Sequence, residues 1–86
     1  MKSIDRLYRV RKVCRSKTYS GEEVLNEFND YDEATEFMEA EVNYDAQLFL
    51  RDEGVMPKVE FTSETEAIIK DSGYEARYIV EPTFMA

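Results

Sequence analysis

The chain has no histidine, no tryptophan, one cysteine, two prolines and three glycines in 86 residues. Without histidine it lacks the usual general base near neutral pH and the commonest zinc ligand. The lone Cys14 rules out an intramolecular disulfide and fits a reducing compartment. Arg11, Lys12 and Arg15 flank this thiol and would lower its pKa, but no imidazole exists to activate it, and free cysteine is more often a small buried hydrophobe. Three glycines are too few for a phosphate-cradling loop or a dinucleotide fingerprint. No run approaches the roughly 18 apolar residues of a membrane span, and the opening MKSIDRLYRV has no apolar stretch of signal-peptide length. A cytoplasmic protein is the expectation.

What is present is apolar side chain and acid. Hydrophobic residues make up 43% of the chain, with six Tyr and five Phe, enough to offset the ordering entropy of folding. A chain of this length buries about 60 to 65% of its unfolded surface, so residues 1–86 are read as one domain with one modest core. The net charge of −8 is unevenly divided. Residues 1–19 carry +6, residues 20–54 carry −11 and residues 55–86 carry −3. The middle of the chain is the acidic part.

LYRVRKVCRS alternates Tyr8, Val10 and Cys14 against Arg9, Arg11 and Arg15, the period of a strand. KTYSG supplies a turn, and EEVLNEF follows as a second strand, with Val24 and Phe28 expected on the core face and Glu23, Leu25 and Glu27 outward. Asp30 with Glu33 three residues later has capping-box spacing, so a helix is expected from Tyr31. Phe37, Met38 and Val42 share one side of it, and Asp32, Glu36 and Glu39 the other. An unbroken continuation would set Glu41 and Asp45 in the apolar stripe, where an unpaired carboxylate is costly. The helix is therefore expected to stop near Asn43, with AQLFLRDEG as a strand or a second short helix, strand being preferred. Gly54 and Pro57 break the chain. KVEFTS and EAIIKDSGYEARYIVEP then read as extended, with a hairpin turn at Asp71-Ser72-Gly73 and Pro82 closing the last strand. The fold class is α+β: a small antiparallel sheet, ββα and then further short strands, packed by one main amphipathic acidic helix.

Paired carboxylates can hydrolyse glycosides or hold Mg²⁺ or Ca²⁺, but so small a domain leaves little room for a cleft. A calcium-loop pattern starting at Asp30, with Asp32 third and Glu41 twelfth, has Ala34 where an oxygen is needed and Thr35 in place of the turn glycine. No catalytic residue, cofactor or metal ligand is assigned. Arginines interleaved with Tyr8 and Tyr19 resemble a platform for single-stranded nucleic acid. Cross-strand pairing of Arg9, Arg11 and Arg15 with Glu23 and Glu27 accounts for them more simply. The acids Asp30, Asp32, Glu33, Glu36, Glu39, Glu41 and Asp45 then lack basic partners nearby in sequence. Asp30, Asp32 and Glu33 gain about 0.3 to 1 kcal/mol each from the helix dipole. The others gain little, and like charges at helical spacing cost about 0.2 to 0.5 kcal/mol per pair. A basic partner would explain them; a solvated acidic surface is the plainer alternative.

The basic-then-acidic hairpin, the acidic helix opened by FNDYDEATEFMEAE and the short closing strands resemble small acidic bacteriophage proteins of host takeover and anti-defence. These include DNA mimics that occupy the DNA-binding surface of nucleoid proteins such as HU, and inhibitors of restriction or CRISPR effectors. The resemblance covers residues 7–45 and lies in pattern and charge. It implies an inhibitor without catalysis, acting in the cytoplasm of a host bacterium. Its partner would be a basic host DNA-binding protein, with no direct contact to nucleic acid or membrane. The binding residues would be the seven acids from Asp30 to Asp45, and the chain a monomer or homodimer. Two alternatives stand beside it: a protein-interaction or homodimerising module that uses a sheet edge, its acids serving solubility, and a nucleic-acid binder that uses the basic first strand.

Overall fold

The computed structural model describes the backbone of residues 6–84 and the side chains of residues 7–83. The elements run β1 (Arg6–Ser16), β2 (Ser20–Phe28), α1 (Tyr31–Glu53), β3 (Lys58–Ser63), β4 (Glu66–Asp71) and β5 (Tyr74–Phe84). The strands form one antiparallel sheet in the order β2-β1-β5-β4-β3, with α1 packed on one face. The α+β architecture expected from the sequence is the one observed. The last strand closes the sheet by pairing with the first along its whole length, from Arg6 opposite Phe84 to Ser16 opposite Tyr74.

Alternation on β1 is as the sequence indicates: Val10 is fully buried beneath the helix, while Arg9 and Arg11 point to the open face. On β2 the outcome differs. Val10 pairs with Asn26 but Arg11 pairs with Val24, so Leu25 is the extra residue of a β-bulge. One inserted residue inverts a period of two. Leu25 therefore packs against the core with Phe28, and Val24 is left half exposed.

Asp30 caps α1 as expected, its carboxylate accepting from the Glu33 amide at 3.0 Å. The helix does not stop near Asn43. It runs 23 residues to Glu53, and residues 44–53 are helical throughout rather than a strand. Its buried stripe is Ala34, Met38, Val42 and Ala46, four residues apart each time. The expectation of an early end fails because Asp45 is paired: it accepts from Lys12 Nζ at 3.0 Å and from the Tyr78 hydroxyl at 2.5 Å. A half-buried carboxylate with two donors does not terminate a helix. The stop comes at Gly54, whose φ of +79° suits the left-handed cap and whose amide donates to Leu50 O at 2.8 Å.

The hairpin at residues 71–74 is found as expected. Pro82, however, does not end its strand, which continues to Phe84. The Val80 amide, two residues earlier, donates toward Thr65 O on the β4 side. Amide direction repeats every two residues, so the nitrogen of Pro82 points the same way. That place lies beyond the start of β4 at Glu66, and no ladder bond is lost. The core joins Val10, the helical stripe, Ala67, Ile69, Ala76, Tyr78 and Val80.

Candidate functional site

Residues 54–57 turn the chain so that β3 runs back opposite in sense to α1. The helix lies over β1, β5, β4 and β2, and most of β3 projects beyond it. Phe61, on the helix side of β3 opposite buried Ala67, is consequently 45% exposed. Between the first half of α1 and the end of β3 lies an open groove of about 450 Å³. Phe61 and Tyr31 supply its apolar surface over buried Met38, and Asp32, Glu36, Glu39 and Glu64 its carboxylates. The Tyr31 hydroxyl donates to Glu64 at 2.9 Å and ties the groove's two walls together at one end. That bond holds the Tyr31 phenol above its ordinary pKa. Tyr31 also packs edge-on against Tyr8, with ring centroids 5.5 Å apart.

The groove sorts the seven acids singled out in the sequence. At about 100° per residue, Asp32, Glu36 and Glu39 fall on the flank of α1 that faces β3, and all three are exposed. Asp30 is occupied in the helix cap, where its carboxylate accepts from the Glu33 amide, and Glu33 lies on the exposed outer side of α1, away from the groove. Glu41 lies on the opposite flank and is half-buried. Asp45 faces the sheet, its side chain 21% exposed, and is held by Lys12 and Tyr78. Four of the seven residues therefore lie outside the groove. Glu64, which sequence reasoning missed, lies inside it. Its position in the β3–β4 turn carries no local signal, because only the antiparallel return of β3 brings it to the helix start.

Most bases near these acids are already engaged. Arg9 pairs with Glu27 at 3.1 Å, Arg11 with Glu22 and Glu81, and Arg77 with Glu66 and Glu75, all on the sheet face away from the helix. This is the cross-strand compensation expected of the basic first strand, with Glu22 and Glu81 among the partners in place of Glu23. Glu66 sits below the usual carboxylate range because Thr62 and Arg77 both donate to it. Arg15, Lys17 and Lys70 instead line a second cavity of about 360 Å³ at the turn end of the sheet, together with Asp71 and Glu75. Among the described residues, none of Asp32, Glu36, Glu39 and Glu64 forms an ion pair.

The interior polar cluster has a different character. Lys12 and Tyr78 are direct cross-strand partners, both aimed at α1, and the Lys12 ammonium lies 5.5 Å from the Tyr78 ring centroid. Burial pulls the Lys12 pKa down, but the bond to Asp45 and the nearby acids leave it raised. Burial first, and then the bond to Asp45, push the Tyr78 phenol far up. Tyr74 is raised by burial and by its contact with Cys14, 3.7 Å from its hydroxyl. Lys12, Tyr78 and Asp45 thus bond one another, and Cys14 meets Tyr74, as in a packing device.

Among the described residues no helix is long and apolar enough to cross a membrane, and no three acidic or thiol groups converge as metal ligands. Comparison of the chain with protein-family models, with curated proteins and with solved structures finds no match.

Proposed function

We propose that this chain is a non-catalytic inhibitor of the phage type, acting in the bacterial cytoplasm by presenting a DNA-like row of carboxylates to a basic DNA-binding protein. A nucleoid-associated protein of the HU kind is the favoured partner. The observation that carries this reading is the groove, where Asp32, Glu36, Glu39 and Glu64 converge without a base. Helical residues three and four apart stand about 5 to 6 Å from one another, comparable to successive phosphates along one nucleic-acid strand. The repulsion among them costs stability, so folding alone gives no reason to gather them.

Attraction of this kind steers association and is screened by salt. The test uses purified HU-type protein and labelled duplex DNA at low and high ionic strength, with this chain as competitor. The parent is expected to displace DNA at low salt and to lose that ability as salt rises. Reversing Asp32, Glu36 and Glu39 to Lys should abolish displacement, whereas reversing Glu33 and Glu41, which lie outside the groove, should leave most of it. Equal competition by the groove variant and the parent would sink the proposal.

A further inference from the structure

The groove has one wall that a purely electrostatic surface does not need. Its outer side is β3, the last strand of the sheet, whose far edge pairs with no strand among the described residues. Lys58 to Phe61 pair in regular register with β4, and the register shifts only between Phe61 and Ser63. An exposed edge of this kind is a template for another strand. Phe61 and, at the other end of β3, Val55 and Met56 remain about half exposed beside it. The other sheet edge, β2, is broken in mid-strand by its bulge, which discourages pairing, and its Glu22 and Glu27 are already paired with Arg11 and Arg9.

We infer that β3 accepts an extended basic segment of the partner as a sixth strand, with alternate Lys or Arg side chains of that segment lying in the groove between β3 and α1. This rests on the function proposed above and names the element of the partner that the acids receive. Strand side chains on one face recur about every 6.6 Å, while carboxylates four apart on a helix recur about every 6 Å along its axis. Since β3 runs back along α1, bases two residues apart on an added strand keep step with Asp32 and Glu36, and Glu39, about 4.5 Å further along the axis, is reached by the flexible stem of the next base. Their aliphatic stems cover Phe61 and the exposed part of Tyr31, and an arginine head can stack on the exposed Phe61 ring. The occupant is thus specified by both kinds of complementarity: backbone to the β3 edge, and charge to the α1 flank.

The probe is a synthetic peptide of alternating Arg and Val, compared with the same sequence N-methylated at alternate backbone amides, which keeps its charge and blocks strand pairing. Binding to the full chain is measured by fluorescence anisotropy at low salt, and amide chemical shifts locate it. The unmodified peptide is expected to shift residues 58–64 and 31–39, and methylation on the edge-facing side to weaken binding by about tenfold or more, the loss of one or more backbone hydrogen bonds. Phe61→Ser, a change at an exposed position, should weaken the unmodified peptide and leave the fold unchanged. Equal affinity of the two peptides, or shifts confined to the open sheet face, would overturn strand addition. If methylation has no effect while the Lys variant of Asp32, Glu36 and Glu39 still fails to displace DNA, strand addition falls and the acidic-face proposal stands. If that variant displaces DNA as well as the parent does, the function proposed above falls.

Discussion

Replacing Asp45 by alanine should destabilise the protein by about 3 kcal/mol. Its carboxylate is the acceptor for Lys12 Nζ and for the Tyr78 hydroxyl, and Tyr78 is fully buried. Leaving a buried hydroxyl without a partner costs about 1 to 3 kcal/mol, and breaking a buried ion pair by removing one member costs about 3 to 5 kcal/mol. The pair here is only partly buried, its side chains 18% and 21% exposed, and the Lys12 stem can carry its charge outward. Losing the pair therefore costs about 1 kcal/mol and the stranded Tyr78 hydroxyl about 2 kcal/mol, about 3 kcal/mol together. For a domain of this size each 1 kcal/mol moves Tm by about 4 to 8 °C, so a fall of about 12 to 24 °C is expected in thermal melts followed by circular dichroism. Urea titration gives the free energy directly. Asp45→Asn, which keeps an acceptor for Tyr78, should lose less. The pair Lys12→Met with Asp45→Leu should lose less than the two single changes summed, because the double variant strands no charge. A cost for Asp45→Ala within about 0.5 kcal/mol, as at an ordinary surface site, would refute the claim that this contact carries α1 past Asn43.

The raised pKa values of Tyr78, Tyr74 and Lys12 all act in one direction. Each group holds its proton more tightly when folded, so its contribution is complete below the unfolded value, near 10 for the phenols, and is lost as pH rises above it. Urea midpoints should therefore fall steeply above pH 10, and less so in Tyr78→Phe; an equal slope in that variant would contradict the assignment. At the bulge, Leu25→Ala should cost about 1 to 2 kcal/mol, as for a partly buried aliphatic. Val24→Ala should stay within about 0.5 kcal/mol, and the reverse order would mean that β2 keeps unbroken alternation.

The errors at β2 and α1 have a common origin. The local pattern of one segment suggests both the strand facing and the helix end, but contacts with another segment decide them. Nothing in EEVLNEF announces a bulge, because its apolar residues fit alternation about Val24 as well as about Leu25 until β1 sets the register. The helix end had a readable signal. Lys12 lies between Val10 and Cys14 on the core side of the alternating first strand, and a lysine there demands a carboxylate. The acids that fall within the apolar stripe of an unbroken helix are Glu41 and Asp45, so pairing the two oddities would have kept the helix whole. The caps at Asp30 and Gly54, the hairpin at Ser72-Gly73 and the strands after Pro57 were legible because their causes are local. The groove was half legible. Periodicity grouped Asp32, Glu36 and Glu39, whereas Glu64 and Phe61 join them only through the topology of the sheet.

Charge on this chain separates by what folding requires of it. Glu22, Glu27, Glu66, Glu75 and Glu81 neutralise arginines on the open face, Asp30 closes the helix start, and Asp45 satisfies two interior donors. Each of these has a partner whose loss would destabilise the native state. Glu36 and Glu39 make no such contribution, Asp32 adds only its place in the first turn beside the helix dipole, and Glu64 adds the acceptor it offers Tyr31. Their mutual repulsion is weaker in the expanded unfolded chain, so it opposes folding. The substitutions that test the proposed function therefore also test this separation: lysines in place of Glu36 and Glu39 should leave Tm unchanged or raise it, lysine in place of Asp32 should cost only the dipole contribution of about 1 kcal/mol, and the three together should remove competition with DNA. Stability lost together with binding would make those acids part of the fold. Stability kept while binding is lost would mark them as a surface maintained for a partner at the expense of the fold.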